Sequence, residues 1–193
     1  MGGTGLTIDT TDNQDLRQVL RSRTAHAHDT LDKTMSALDL ADPSDYARFL
    51  QIQYRARRPI EAWCDEHCPT DLLPPAQTPA IARDLRALGR SLPEIDGGFV
   101  PPSDADPLGV AWALGGSSLG NRAMLAGLRR RDDEDRPVHF LADRAMTEFW
   151  RGLLPHLQRA PSARQAQAAT AAAEAVFARF QRVADAMLVQ EAA

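Results

Sequence analysis

Few residues of this 193-residue chain have the type and spacing for chemistry. There are five histidines, His26, His28, His67, His139 and His156. His28 stands out because Asp32 follows one helical turn later. When a histidine binds a metal through one ring nitrogen, a carboxylate one turn away holds the other N–H and raises ligand basicity. The same spacing equally describes an ordinary exposed pair, worth about a few tenths of a kcal/mol. Cys64 and Cys68 lie four apart with His67 between them, so both thiols face one side of a helix. A structural zinc site needs four ligands and no second pair stands at suitable spacing, so they read as reduced, partly buried thiols. A third cluster is Gly115-Gly116-Ser117-Ser118-Leu119-Gly120, flanked at helical spacing by Trp112 and by Met124, Leu125 and Leu128. Glycine in a helix interior costs roughly 1 kcal/mol relative to alanine. Either this backbone must flex or admit something flat or bulky at close range, or the segment is a loop between two short helices. The chain has no GxxxxGK[ST] run, strand-linked GxGxxG, nucleophile elbow or HExxH pair, which excludes the chemistries those motifs carry.

The elements that position these residues read as six helices. The first spans about residues 14–38, with Leu16, Val19, Leu20, Ala27, Leu31 and Met35 forming one apolar stripe. Asp42-Pro43 opens a second through Tyr46, Phe49, Leu50, Tyr54, Ile60 and Trp63, which Pro59 is expected to kink or break. Residues 69–79 are turn-rich. Thr78-Pro79 starts a third helix through Ile81, Leu85 and Leu88, and residues 89–105 are loop. Asp106-Pro107 begins a fourth, which carries the glycines. Phe140, Leu141, Phe149, Trp150, Leu153 and Leu154 mark a fifth. The last begins near Ser162, with Val176, Phe177, Phe180, Val183, Ala184, Met187 and Leu188 on its apolar face. No alternating β-branched run offers a strand. The fold class is therefore all-α: a compact single-domain helical bundle over 14–190, preceded by a flexible tail, residues 1–13.

Composition narrows the function further. With 44% hydrophobic and 25% charged residues the chain is an ordinary globular protein. A net charge of −4 argues against a generic nucleic-acid binder. Arg129-Arg130-Arg131 followed by Asp132-Asp133-Glu134-Asp135 reads as a solvated helix end and an acidic loop. No apolar run approaches the roughly 20 residues that span a bilayer. The first 13 residues lack a signal-peptide pattern, and Leu6 departs from the myristoylation motif. A cytoplasmic protein without membrane partners is expected.

The stretch Leu20-Arg21-Ser22-Arg23-Thr24-Ala25-His26-Ala27-His28-Asp29-Thr30-Leu31-Asp32 resembles the proximal helix of heme oxygenases, and Leu108 to Arg122 resembles their glycine-rich distal helix. Pro137-Val138-His139-Phe140-Leu141, Phe149-Trp150 and the Ala-rich final helix with Phe177 and Phe180 follow in the family's order, so the likeness covers about residues 14–190. The resemblance implies heme between the two helices, with His28 as proximal iron ligand and Asp32 supporting it. Gly116 and Gly120 would flank the oxygen pocket, with Ser117 at its polar edge and Asn121 near the heme plane. Arg21 is the first candidate for the heme propionates, assisted by Arg179 or Arg182. The implied activity opens heme to biliverdin, CO and ferrous iron with O2. Its electrons come from a partner such as a ferredoxin or a reductase, since no flavin or nicotinamide motif is present. A bacterial phytochrome is the implied biliverdin acceptor, with iron acquisition the other role of the family's soluble branch. Many bacterial relatives carry glutamate where this chain has Gly115, and glycine where it has Asn121. Those departures suggest the alternative of a degenerate scaffold that carries heme or binds a protein without catalysis.

Overall fold

The computed structural model of the protein describes residues 14–131 and 136–189. The expected N-terminal tail and the acidic stretch Asp132 to Asp135 lie outside the described residues. Among the described residues the chain forms seven α-helices, α1 (Leu16–Arg23), α2 (Ala25–Met35), α3 (Pro43–His67), α4 (Thr78–Ala87), α5 (Pro107–Arg131), α6 (Ala145–Leu157) and α7 (Ala163–Val189). A single 3-10 turn, Thr70–Leu72, lies between α3 and α4. The all-helical expectation holds, with one helix more than the periodicity predicts.

The extra helix arises at Thr24. Its buried hydroxyl donates to the Leu20 carbonyl at 2.8 Å, and its backbone leaves helical geometry at φ −98°, ψ 3°. The first helix expected from the periodicity is therefore two, α1 and α2, which meet at this residue. Asp15 and Gln18 form a capping box at the start of α1. Asp42 caps α3 by accepting from Ser44 and Asp45 amides, and Asp106 accepts from the Leu108 amide at the start of α5.

Pro59 does not break α3, contrary to expectation. Its missing N–H would leave the Arg55 carbonyl without its usual partner. Arg179 of α7 donates to that carbonyl at 3.1 Å, supplying the lost bond from another helix. The glycine segment is likewise helical throughout, so the loop alternative is not the one adopted: α5 runs unbroken from Pro107 to Arg131.

Helix α7 runs through the centre and packs on α5, α2, α3 and α1. One core cluster joins Tyr46, Phe49, Leu50 and Ile60 of α3 to Leu114, Val176 and Phe180. A second joins Leu16, Leu20, Trp150 and Leu153 to Ala169 and Ala173. The tightest crossing is at Gly109. A Cβ there would fall on the Ala169 carbonyl oxygen and lie 2.8 Å from its carbon and 2.9 Å from its Cα. Only glycine permits α5 to meet the α7 backbone this closely.

Helix α2 differs from all the others that carry the core. It buries no residue. Half-buried Leu31 and Met35 lean on the core, and Gln181 Nε2 of α7 donates to Thr34 Oγ1 at 2.8 Å. Ala27 is half-buried as well, and most of the remaining residues of α2 are exposed.

Candidate functional site

His28 projects from this lightly packed helix with its side chain 54% exposed. Its Nδ1 lies 3.3 Å from Asp32 Oδ2 and 3.7 Å from Asp29 Oδ1. Asp32 thus sits where it orients the ring with Nδ1–H toward the carboxylate, which leaves the Nε2 lone pair free for a metal. His26, two residues away, is exposed and points about 160° around the helix from His28.

An aromatic chain leads from His28 to α5. The His28 ring meets Phe177 of α7 edge-on at 5.9 Å, and Phe177 meets Trp112 of α5 at 6.3 Å. Trp112, Gly116 and Gly120 follow at four-residue spacing and share one face of α5. Beyond Trp112 that face carries no side chain at Gly116 or Gly120. A Cβ at Gly120 would meet no heavy atom within 4 Å, and one at Gly116 would only reach Trp150 Cζ3 at 4.0 Å. Leu119 beside them is 52% exposed, one of few large apolar side chains so open to solvent. A bare, partly apolar helix face and a mostly exposed helix carrying a free imidazole are therefore linked through Phe177. Such a pair suits a flat apolar group bearing a metal. Two surface depressions elsewhere, by Tyr54 and Arg58 and by Asp104 and Arg164, contain none of these residues.

Ser117 sits at the edge of the glycine stripe and is fully engaged. Its hydroxyl donates to the Leu114 carbonyl at 2.6 Å and accepts from Arg57 NH2 of α3 at 2.9 Å. Asn121 is buried and lies about 180° around α5 from Trp112. Its side chain is thus turned away from the Trp112–Gly116–Gly120 stripe. Gly115 faces Trp150, whose Cε3 would be 3.0 Å from an added Cβ. The tryptophan occupies the space that a longer side chain at 115 would need.

Of the three arginines expected to meet a dianionic ligand, Arg21 on α1 and Arg182 on α7 are exposed. Arg179 is buried and committed: NH1 donates to the Asp96 carbonyl at 2.8 Å and NH2 to the Arg55 carbonyl. Cys64 and Cys68 are free thiols, the first buried and the second half-buried. Among the described residues, no group of three or more His, Cys, Asp or Glu is placed to hold a metal ion. The residue that sequence reasoning missed is Arg57. Its position on the apolar stripe of α3, seven after Leu50 and three before Ile60, was the available signal.

No protein-family model matches the chain, and no curated protein matches it in sequence. Among solved structures it is similar to the heme oxygenase from Neisseria meningitidis, determined with NO and CO bound. The two share 19% identity, the superposition covers 91% of this chain and 92% of that one, and the TM-score is 0.73. The chain has the heme oxygenase fold.

Proposed function

We propose that the chain binds heme between α2 and α5 through His28 and opens it to biliverdin, CO and ferrous iron with O2. The observation carrying this reading is the link from the free His28 Nε2 through Phe177 and Trp112 to the bare Gly116–Gly120 face. Heme supplies the iron at which dioxygen is reduced and is itself the substrate. His28 holds that iron and Asp32 fixes the imidazole. Gly116 and Gly120 would let the α5 backbone approach the bound ring closely. Arg21 and Arg182 are free to pair with the propionates, whereas Arg179 is held by backbone carbonyls. Electrons come from an external ferredoxin or reductase, and a bacterial phytochrome is the proposed acceptor of the product. The alternative of a non-catalytic carrier rested on Gly115 and Asn121. Asn121 lies on the core side of α5, while the glutamate of many bacterial relatives is not replaced at Gly115, which packs against Trp150 instead, so turnover decides between the two readings.

Hemin titrated into the purified protein is expected to bind one-to-one with a sharp Soret band. With an electron donor, O2 and catalase, that band should decay as the broad red absorption of biliverdin grows. Heme that stays intact under those conditions sinks the enzymatic reading. Failure to bind sinks the whole.

The glycine stripe yields a test that separates function from folding. Gly120 is exposed in a helix interior with open space at its Cβ position. Gly120→Ala is expected to stabilise the hemin-free protein by about 0.5–1 kcal/mol, because alanine is the better helix former. Ring opening in the same variant should slow about tenfold or more, the cost of crowding the approach of α5 to the bound ring. Thermal melts and turnover assays read the two effects. A variant that melts higher and turns over like the parent removes Gly120 from the site.

A further inference from the structure

Arg57 is the least expected residue in the core. Its side chain belongs to a residue only 1% exposed, with its guanidinium carbon 5.3 Å from the Phe140 ring centre and 5.5 Å from that of Phe180. Nε donates to Gln53 Oε1 at 3.0 Å and NH2 donates to Ser117 Oγ at 2.9 Å, while NH1 has no partner. Among the described residues no carboxylate pairs with it. Glu61, one turn along α3, is engaged by the Gln77 and Thr78 amides and the Thr78 hydroxyl at the start of α4. Burial pushes Arg57 down to about 10, opposed by Glu61, so it is still cationic at neutral pH.

An unpaired buried charge is costly, and an apolar side chain of similar volume is often neutral or better for stability. Packing therefore does not account for Arg57. Its place does. It reaches α5 at Ser117, inside the glycine-rich segment where the helix lacks side chains that would hold it in register. The Ser117 proton is spent on Leu114, so Ser117 can offer a neighbour only an acceptor. In this cluster Arg57 NH1 and Ser118 Oγ, both buried, are left without a partner. Ser118 and Asn121, both buried, lie on the same core side of α5 and make the underside of the stripe polar.

We propose that Arg57 is the positioning residue of the glycine segment: it holds α5 through Ser117, and its charge biases the cleft toward anionic over neutral ligands. The second half rests on the heme reading of the cleft; the first does not.

The experiment compares parent, Arg57→Met, Arg57→Lys and Ser117→Ala. In hemin-free protein, amide hydrogen exchange over residues 115–121 is expected to rise about tenfold in Arg57→Met and Ser117→Ala, the scale of one hydrogen bond to a charged group. Exchange in α4 and α6 and the melting temperature should change little, which separates local loosening from failure to fold. On the hemin complexes, azide and CO affinities are measured. Arg57→Met is expected to weaken azide about tenfold and CO less than about twofold, and Arg57→Lys to restore azide binding through its charge. Unchanged exchange over 115–121 overturns the positioning role. Equal losses of azide and CO overturn the electrostatic role and leave Arg57 purely structural. If the parent binds no hemin, the heme reading and the ligand bias fall together, while exchange still decides the positioning role.

Discussion

Replacing His28 by alanine is expected to abolish the sharp His-ligated Soret band and leave the fold intact. His28 is half-exposed, the Asp29 and Asp32 carboxylates beside it are exposed, and α2 buries no residue. A substitution at such a surface position changes stability by about 0.5 kcal/mol or less, and alanine favours the helix. The coordination bond has no substitute nearby, because His26 points to the far side of α2. Hemin affinity should fall by well over the roughly 10–100-fold that loss of a metal ligand's supporting carboxylate costs. Asp32→Asn is expected to fall within that smaller range, since Nδ1 keeps a hydrogen-bonding partner but loses the charge. Imidazole added to the His28→Ala complex should restore the band by filling the vacated site. Absorption spectra of the three proteins decide the matter. A parental spectrum in His28→Ala assigns the ligand to another residue.

Gly109→Ala should be the most destabilising single-methyl change in the chain. The new Cβ would strike the carbonyl group of Ala169 on α7, and neither partner is the flexible tip of a side chain. Relief requires moving α5 and α7 apart along a seam of small residues that includes Ala166, Ala169, Ala172 and Ala173, all buried. Overpacking of a core typically costs 1–3 kcal/mol, and backbone against backbone belongs at or above about 3 kcal/mol. For a domain of this size that lowers Tm by roughly 6–12 °C. Gly152→Ala is the matched control, because Gly152 is exposed inside α6 and its added Cβ meets nothing within 4 Å. It should gain about 0.5–1 kcal/mol. Melts of the two variants should therefore move in opposite directions. A Gly109→Ala protein that melts with the parent would mean that the α5–α7 crossing is looser than described.

Helical period and capping residues made most of the fold legible. Asp42-Pro43, Thr78-Pro79 and Asp106-Pro107 each open a helix where their chemistry says they should. What escaped the sequence was set by distant partners. The first helix is divided at Thr24, a residue buried by the packing of the bundle. Pro59 spares α3 because Arg179, 120 residues later, replaces the missing donor. Nothing near either residue in the chain announces those outcomes. The placement of Asn121 has another origin. Adjacency to Gly120 in sequence is a turn of about 100° on a helix, which carries the side chain from the open face to the core. Arg57 was hidden among 22 Lys and Arg residues, and only its register with Leu50 and Ile60 marked it. His28, Asp32 and the glycines were visible because their spacing falls within one or two turns. The link from His28 to Trp112 by way of Phe177 belongs to the tertiary structure.

The bond between Arg179 and the Arg55 carbonyl also constrains the order in which this sequence can change. While proline stands at 59, losing Arg179 leaves the Arg55 carbonyl without that donor and removes one of the two arginines that hold Asp96, the other being Arg55. If Pro59 is first replaced by a residue with an N–H, α3 completes its own ladder and that carbonyl no longer depends on α7. A substitution at 179 is then left with the loop contact alone to lose. The two sites are epistatic: the same change at 179 is harsher before the change at 59 than after it. Descendants of this chain that have lost the arginine should more often have lost the proline as well.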